Sequence, residues 1–178
     1  MVQPWSPAEV GALTFDEVYR EHAARVYRFC LSQLRNPTEA EDVAAEVFVS
    51  ALAAYDRTRP SPEDVQPWLL RIARNEIIDR ERHRRRWSTL FGKFFADQGE
   101  TDHGVNVEAE VVIRDELRHV LAVLERLSPR DRELVGLRLA ADLPFAEIGR
   151  VTGMTEHAAT VATRRALQRL RDHLGGRS

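Results

Sequence analysis

Apolar residues recur every three to four positions along the first third of the chain, which is the spacing of one helix face. Thr14, followed three residues later by Glu17, forms a capping box ahead of the first such run. The run ends at Asn36 and Pro37, because a proline disfavours helix in the residues before it. The pattern therefore predicts a helix over 15–34.

Two further helices are predicted before position 87. Thr38 with Glu41 repeats the start signal, and the apolar positions that follow predict a second helix over 39–55. The segment after it holds two prolines and is interpreted as a loop. Pro67 suits the first turn of a helix, where its missing N–H leaves nothing unpaired. We predict a third helix from 67 to about 86, which completes one small domain.

The rest of the chain divides into a linker and a second helical region. Residues 87–106 lack a sustained period and contain three glycines, so they are interpreted as a linker, with an aromatic stretch at 87–95. Helices are then predicted at about 107–126, from Ser128-Pro129, at 144–151 and at 155–173. The prediction is an all-α protein of two small helical domains joined by a flexible linker, the C-terminal one a helix-turn-helix.

Composition agrees with this fold class and excludes several kinds of protein. Of 178 residues, 43% are hydrophobic and only 9 are glycine, which favours helix over sheet. No apolar stretch approaches the roughly 20 residues of a membrane span, and the start of the chain lacks the features of a signal peptide. We expect a cytoplasmic protein with no membrane insertion. The single cysteine, Cys30, excludes an intramolecular disulfide and is predicted to be buried on an apolar stripe.

Charge is segregated along the chain, although the formal net charge is only -2. Residues 1–57 carry nine acidic and five basic side chains, whereas 71–86 carry seven arginines against three acidic residues. The segment 97–116 is acidic again. Because partners sense local fields within about 10 Å, the arginine-rich segment is a candidate for contact with nucleic acid.

The segment from Pro144 to Leu167 has the spacing of a helix-turn-helix. A short helix, a turn at Gly153 and a longer second helix would place that second helix in a major groove about 12 Å wide. Glycine enters the backbone conformation of such turns without steric cost. Arginines at positions 164, 165, 169 and 171 suit phosphate contacts. The alternative is a helical hairpin that only packs within its domain.

The sequence does not contain a convincing catalytic or metal site. Glu-x-x-His occurs at Glu100/His103 and Glu116/His119, but di-iron bundles that use this spacing need two more inward carboxylates. The chain also lacks a glycine-rich loop of the kind that cradles phosphate. We therefore expect no catalytic residue, no metal and no cofactor.

Five tracts, in order and at matching spacing, resemble the extracytoplasmic-function (ECF, group 4) sigma factors of the sigma-70 family. They are Ala40-Glu-Asp-Val-Ala-Ala-Glu-Val-Phe, Trp68-Leu-Leu-Arg-Ile-Ala-Arg-Asn-Glu-Ile-Ile-Asp-Arg, Leu127-Ser-Pro-Arg-Asp-Arg-Glu, Glu147-Ile-Gly and Arg165-Ala-Leu-Gln-Arg-Leu-Arg. The resemblance implies a protein that is not an enzyme, that binds core RNA polymerase, and that directs promoter-specific initiation and assists melting. It implies a sigma region 2 domain at 13–86, a linker at 87–106 and a sigma region 4 domain at 107–174.

The resemblance assigns core polymerase binding to the second helix. The residues concerned are Glu39, Asp42, Glu46 and Val49. An acidic amphipathic helix is a reasonable docking face for a basic coiled coil. The family usually has a Gln where this chain has Ala45, so part of that contact differs here.

The resemblance assigns the −10 promoter element to the third helix and the loop before it. Asn75 would hydrogen-bond a base flipped out of the melting duplex, because an amide offers both a donor and an acceptor. The other candidates on this helix are Arg71, Arg74, Asp79, Arg80, Arg82 and Arg84.

The −35 element is assigned to the final helix. Its candidate contacts are His157, Ala158, Thr160, Val161 and Arg164, with Arg165 on the phosphate backbone. Family members often carry Lys or Arg at the positions of Thr160 and Ala162. We therefore expect this chain to read the element through methyl contacts, DNA shape and phosphates.

Partners and alternatives follow from the same resemblance. Many relatives are held inactive by an anti-sigma factor, which is a further partner that it suggests. The aromatic stretch 87–95 could anchor the linker, contact an inhibitor or pack on the first domain. One alternative function is a free-standing regulator that binds duplex DNA, often as a dimer, without polymerase. Another is a sigma-like protein without promoter activity, which Ala45 and the weakly basic recognition helix favour.

Overall fold

The computed structural model describes residues 13–91 and 108–175, with side chains described for 13–86 and 115–175. These ranges contain seven α-helices and no strand, which confirms the all-α prediction. The helices are α1 (Phe15–Leu34), α2 (Pro37–Thr58), α3 (Pro62–Phe91), α4 (Glu108–Glu125), α5 (Pro129–Val135), α6 (Phe145–Thr152) and α7 (Glu156–Gly175). A π-helical turn, Gly136–Ala140, continues α5.

Capping side chains explain where α1 and α2 begin. Thr14 and Glu17 make the predicted capping box: the Glu17 N–H donates to Thr14 Oγ1 at 3.3 Å, and the Thr14 N–H donates to the Glu17 carboxylate at 2.8 Å. The bounds of α1 agree with the prediction. The predicted start of α2 was two residues late, because Asn36 acts as the cap and accepts from the Glu39 N–H at 3.1 Å.

The third helix also begins earlier than predicted. The Ser61 carbonyl accepts from the N–H groups of Asp64 at 2.8 Å and Val65 at 3.1 Å, and its hydroxyl donates to the Asp64 carboxylate at 2.7 Å. Pro62 therefore occupies the first helical position, and Pro67 lies inside the helix. The prediction was wrong because two prolines are equally suited to that position, and the one that follows Ser61, whose carbonyl accepts the first hydrogen bonds of the helix, occupies it.

The first three helices form an N-terminal unit around one apolar core. Each buries one face against the other two, and its fully buried side chains include Val18, Val26, Phe29, Val43, Val47, Val65, Leu69 and Leu70. Burying a side chain of this size contributes about 1.5–3 kcal/mol. Cys30 belongs to the same core, as predicted, and burial raises the pKa of its thiol to about 12. Its role is packing, since a thiol that stays protonated is a poor nucleophile.

The helices α4 to α7 form a C-terminal unit. Ser128 caps α5 as predicted by accepting from the Asp131 N–H at 3.1 Å. The π-helical turn was not predicted. It closes with hydrogen bonds from Ala141 N to Gly136 O and from Leu143 N to Leu137 O, both 3.0 Å.

The two units contact each other directly. Helices α1 and α3 contact α5, the π-helical turn and α6, and one cluster of buried apolar residues continues from the first unit into the second. Helix α3 continues to Phe91, so the first five residues of the predicted linker, 87–91, are helical. The side chains of 87–106, including its aromatic stretch, lie outside those that are described. None of the helices in the described ranges is long and apolar enough to cross a membrane.

A buried histidine in α1 gives the N-terminal unit a pH dependence. His22 is 4% exposed, and neither ring nitrogen has a hydrogen-bond partner among the residues that the structure describes. Burial lowers the pKa of this imidazole. The unfolded chain takes up a proton near pH 6.5 and the folded state resists it, so stability falls as the pH drops through about 6.5.

We expect the free energy of unfolding, measured by urea denaturation, to be lower at about pH 5.5 than at about pH 7.5. His22→Leu should remove most of that difference. His83→Leu is the control, since His83 is exposed on α3 and should leave the difference intact. An unchanged pH dependence in His22→Leu would contradict the prediction.

Candidate polymerase and promoter interfaces

The exposed face of α2 is acidic with apolar side chains beside the acids. Buried Val43, Val47 and Ala51 fix the opposite face against the core. Spacings of three, four and three residues place the four candidate polymerase contacts, Glu39, Asp42, Glu46 and Val49, along one stripe of the helix. Val49 is 69% exposed, and Leu52, which the sequence prediction missed, continues the stripe at 58%. Exposed aliphatic groups among carboxylates suit a basic protein partner better than DNA.

The acidic stripe pairs with arginines of α3. Arg84 Nη2 lies 2.6 Å from the Glu39 carboxylate, and Arg80 lies 3.8 Å from Asp42 and 3.7 Å from Glu46. One side chain of each pair is only about a third exposed, Arg80 at 32% and Glu39 at 30%, and the other faces solvent, so water still screens these pairs and a partner can displace them. Two candidate DNA contacts therefore adjoin the candidate polymerase-binding face.

The remaining candidates on α3 lie on other faces of the helix. Arg71, Asn75, Asp79 and Arg82 are exposed, and their spacing places them along one stripe. Arg82 Nη1 lies 3.2 Å from the Asp79 carboxylate. This stripe combines an amide that can read a base edge with guanidinium groups that can hold phosphates.

Arg74 points elsewhere. Its Nε is ion-paired with the Glu133 carboxylate of α5, and the Arg74 side chain is only 28% exposed. The structure therefore separates the predicted −10 set into an exposed stripe, two arginines facing α2, and one arginine held by the C-terminal unit.

An open cavity lies beside the exposed stripe, at the start of α3. Side chains from the α2–α3 loop, from α3 and from α6 surround it, and they include Arg59, Ser61, Asp64, Trp68, Arg71 and Arg150. The resemblance assigned base capture to α3 and the loop before it. The participation of Arg150, from the C-terminal unit, was not predicted.

The helix-turn-helix has the predicted arrangement of α6, a turn and α7. Gly153 adopts a φ of 73°, the left-handed conformation that favours glycine. The turn also requires a glycine at position 149, because a Cβ on Gly149 would lie 2.7 Å from the Met154 carbonyl oxygen. The turn can therefore pack closely against α6.

The outward face of α7 presents the predicted −35 contacts. Ala159, Thr163 and Ala166 are buried against the domain. On the other side, His157, Ala158, Arg164 and Arg165 are exposed, and Thr160 and Val161 are half-buried. The Thr160 hydroxyl donates to the Glu156 carbonyl at 2.9 Å, which leaves its methyl group as the more available contact. The Arg164 guanidinium carbon lies 5.8 Å from the centre of the Phe145 ring.

The exposure and bonding of these α7 side chains predict which of two substitutions weakens DNA binding more. Arg164→Ala removes an exposed charge, whereas Thr160→Ala removes a methyl contact whose hydroxyl is already bonded within the helix. We expect Arg164→Ala to weaken binding to a −35 duplex by about tenfold and Thr160→Ala by less than about threefold. Fluorescence anisotropy of the protein with a labelled duplex measures both. The reverse ranking would exclude a phosphate-centred mode of binding.

The Glu-x-x-His pairs do not form a metal centre in the part of the chain that is described. Glu116 and His119 are exposed on α4, and the described residues contain no group of three His, Cys, Asp or Glu side chains placed to hold a metal. Glu100 and His103 lie outside the described residues.

Comparison with known families identifies both units. Residues 18–88 match the family model for sigma-70 region 2, and residues 123–172 match the model for sigma-70 region 4. The RNA polymerase sigma factor CarQ of Myxococcus xanthus is 30% identical over 161 residues, which is 90% of this chain and 89% of that protein. The ECF RNA polymerase sigma factor SigM of Bacillus subtilis is 30% identical over 167 residues, covering 89% and 94% of the two chains.

Solved structures share the fold. The sigma factor RpoE from Bartonella quintana, in complex with the anti-sigma factor NepR, gives a TM-score of 0.73 at 20% identity over 92% of this chain and 98% of that one. CnrH, in complex with the cytosolic domain of CnrY, gives a TM-score of 0.63 at 22% identity, covering 92% and 89%.

Proposed function

This chain belongs to the ECF RNA polymerase sigma factors of the sigma-70 family, and we propose that residues 13–86 form its region 2 domain, 87–106 the linker and 107–174 its region 4 domain. As a sigma factor it binds core RNA polymerase and directs initiation at selected promoters. One observation supports these roles above the others. The same chain combines an acidic stripe on α2 suited to a protein partner, a stripe of an amide and arginines on α3, and a helix-turn-helix.

The N-terminal unit binds the polymerase and the melted −10 element in this proposal. The α2 stripe of Glu39, Asp42, Glu46 and Val49, extended by Leu52, docks on the polymerase. The α3 stripe faces DNA, and Asn75 takes the flipped base. Arg80 and Arg84 exchange their α2 carboxylates for phosphates as DNA arrives, since each pair is partly open to water and is therefore weak.

The C-terminal unit binds the −35 element through the outward face of α7. His157, Ala158, Thr160 and Val161 approach base edges and methyl groups, and Arg164 and Arg165 approach the backbone. The stretch Thr155–Thr163 has no arginine or lysine, so affinity depends on phosphate contacts at its C-terminal side.

The proposed role also implies where the protein acts and what controls it. We place it in the cytoplasm, where polymerase and the chromosome are, and we assign it no enzymatic activity, because its proposed work is recognition. Both structural neighbours were solved with a second protein, and the partner of RpoE, NepR, is an anti-sigma factor. We propose that an anti-sigma factor also controls this chain.

One experiment tests the function against a free-standing DNA-binding regulator. The purified protein is added to sigma-free core RNA polymerase, and co-elution and initiation are measured on a library of genomic DNA from its source. Co-elution with initiation from a defined set of promoters supports the proposal. Tight binding to duplex DNA by the protein alone, without core binding, supports the regulator. Core binding without initiation supports a sigma-like protein that has lost promoter activity.

A further inference from the structure

A cavity of about 290 Å³ lies where α1, α3 and α5 meet, and none of the residues described for α2 or α7 lines it. Its floor is apolar: Phe29 is 1% exposed, Ile77 is 7% exposed, and half-buried Ile78 lies beside them. At about 30 Å³ for each water-sized group, the cavity has room for about ten such groups. That is the size of a small organic molecule.

Three arginines line this cavity, and two of them already have a carboxylate partner. Glu133 is ion-paired with Arg74 through one carboxylate oxygen and with Arg130, at 2.9 Å, through the other. The Glu133 side chain is only 14% exposed. Since each of its oxygens already accepts from one arginine, Glu133 is committed to these two.

Arg132 is the third arginine, and it is buried without a carboxylate partner. Arg132 is 8% exposed, and no carboxylate among the described residues is close enough to pair with it. Its guanidinium makes one long hydrogen bond, from Nη1 to the Leu124 carbonyl at 3.5 Å. A guanidinium carries five N–H donors, so this bond uses one of them. A buried charge without a partner is destabilising, and an anion in the cavity would supply that partner.

The surroundings of Arg132 favour the approach of an anion. Burial lowers the pKa of the guanidinium, and the charge of Arg35 lowers it further. Glu81 and Glu125 attract the guanidinium and act in the opposite direction, but neither pairs with it. A guanidinium stays charged at neutral pH. Because Glu81 itself lines the cavity, the charge of Arg132 acts inside it.

We propose that this cavity binds a small monocarboxylate with an apolar body of about eight carbons, its carboxylate on Arg132 and its body against the floor of Phe29, Ile77 and Ile78. One negative charge is expected, because the three arginines that line the cavity face two glutamates, Glu81 and Glu133. The apolar floor disfavours inorganic phosphate, whose hydration it cannot replace. The site goes beyond the proposed function and does not rest on it.

Binding is tested on the full chain by methyl NMR, with octanoate as the probe. The chain has five isoleucines; Ile77 and Ile78 line the cavity, whereas Ile148 is fully buried in α6. Octanoate should move the methyl signals of Ile77 and Ile78 along a saturable one-to-one curve and leave that of Ile148 in place. Equal movement of all three signals, or no saturation by about 10 mM octanoate, would overturn the site.

Two further probes test the chemical class of the ligand. Octanamide has the same apolar body without the charge, and inorganic phosphate supplies charge without the body. Each should bind at least about tenfold more weakly than octanoate, because a hydrogen bond to a charged group and burial of an apolar chain each contribute that much. Equal binding by octanamide would overturn the role of the charge, and equal binding by phosphate would overturn the role of the apolar floor.

Arg132→Met tests the residue that holds the carboxylate. Methionine is unbranched and adaptable, so it can fill the space of the arginine without its charge. Octanoate should bind this variant at least about tenfold more weakly than the wild type. Arg126→Met is the control, since Arg126 is exposed and outside the cavity, and it should bind octanoate normally. Unchanged affinity in Arg132→Met would overturn the assignment of the carboxylate to Arg132.

Ile78→Glu is an independent variant that places a carboxylate in the cavity itself. It should abolish octanoate binding, because the new side chain both occupies the space and repels the ligand. Val120→Glu makes a similar change at a side chain that is 50% exposed on α4 and should leave binding intact. Circular dichroism shows whether helix content is retained in each variant. Full octanoate binding by folded Ile78→Glu would overturn the cavity as the site, and since no measurement here uses polymerase or DNA, that result would leave the proposed function standing.

Discussion

Reversing Asp42 and Glu46 to arginine together is expected to abolish binding to core RNA polymerase. Both side chains are well exposed, at 59% and 57%, and they lie on the acidic stripe of α2 beside Val49. A like charge placed against a basic partner costs several kcal/mol, so the dissociation constant should rise by at least about 100-fold. Co-elution with core polymerase and promoter-dependent transcription should both be lost.

A control separates this result from a general effect of charge. Glu21→Arg with Glu116→Arg changes net charge equally at exposed positions on α1 and α4 and should retain binding. Circular dichroism should show an unchanged helix content in both variants, because all four reversed side chains are exposed and lie outside the apolar core. Full core binding by a folded Asp42→Arg, Glu46→Arg variant would place the polymerase contact on another surface.

Ala45 and Leu52 explain how this docking face could differ from that of relatives. Ala45 is exposed on α2, at the position where the resemblance led us to expect an amide, so the proposed docking face has one polar group fewer than expected. Leu52, 58% exposed along the same stripe, provides apolar area that a partner can bury at about 25 cal/mol per Å². The apolar part of the stripe can offset a lost hydrogen bond.

The helices were predictable where a local signal decides them. The bounds of α1 follow from a capping box at one end and a proline break at the other, and both are readable in the sequence. The start of α3 was mispredicted because Pro62 and Pro67 are equivalent as sequence signals and only the bonding of Ser61 distinguishes them. The π-helical turn has no local signal, since Gly136 and its neighbours continue the apolar spacing of α5.

The site was predictable as a set of residues but not as an arrangement. Residues 71–86 are recognisable as an arginine-rich helix, yet a sequence does not show which arginines face solvent. Arg80 and Arg84 lie against the carboxylates of α2, and Arg74 lies against Glu133, 59 positions away along the chain. These pairings depend on how the helices pack, and that is fixed by contacts distant in sequence.

Asn75→Ala is expected to abolish most promoter-dependent initiation while leaving core polymerase binding intact. Asn75 is exposed on α3 between Arg71 and Asp79, away from the α2 stripe. Its amide is the group proposed to hydrogen-bond a flipped base, and losing a bidentate base contact costs about 1–3 kcal/mol, or about 5- to 150-fold in open-complex formation. Permanganate footprinting of the melted −10 region, alongside co-elution with core polymerase, measures the two properties separately.

Two further variants on α3 define what Asn75 contributes. His83→Ala, at another exposed position, should retain melting, because His83 is outside the proposed stripe. Asn75→Asp keeps the size of the side chain but replaces the amide donor with a second carboxylate near Asp79, so it should be at least as defective as Asn75→Ala. Normal melting by Asn75→Asp would show that the side chain does not donate to a base, and the contact would then have to come from the cavity around Trp68 and Arg71.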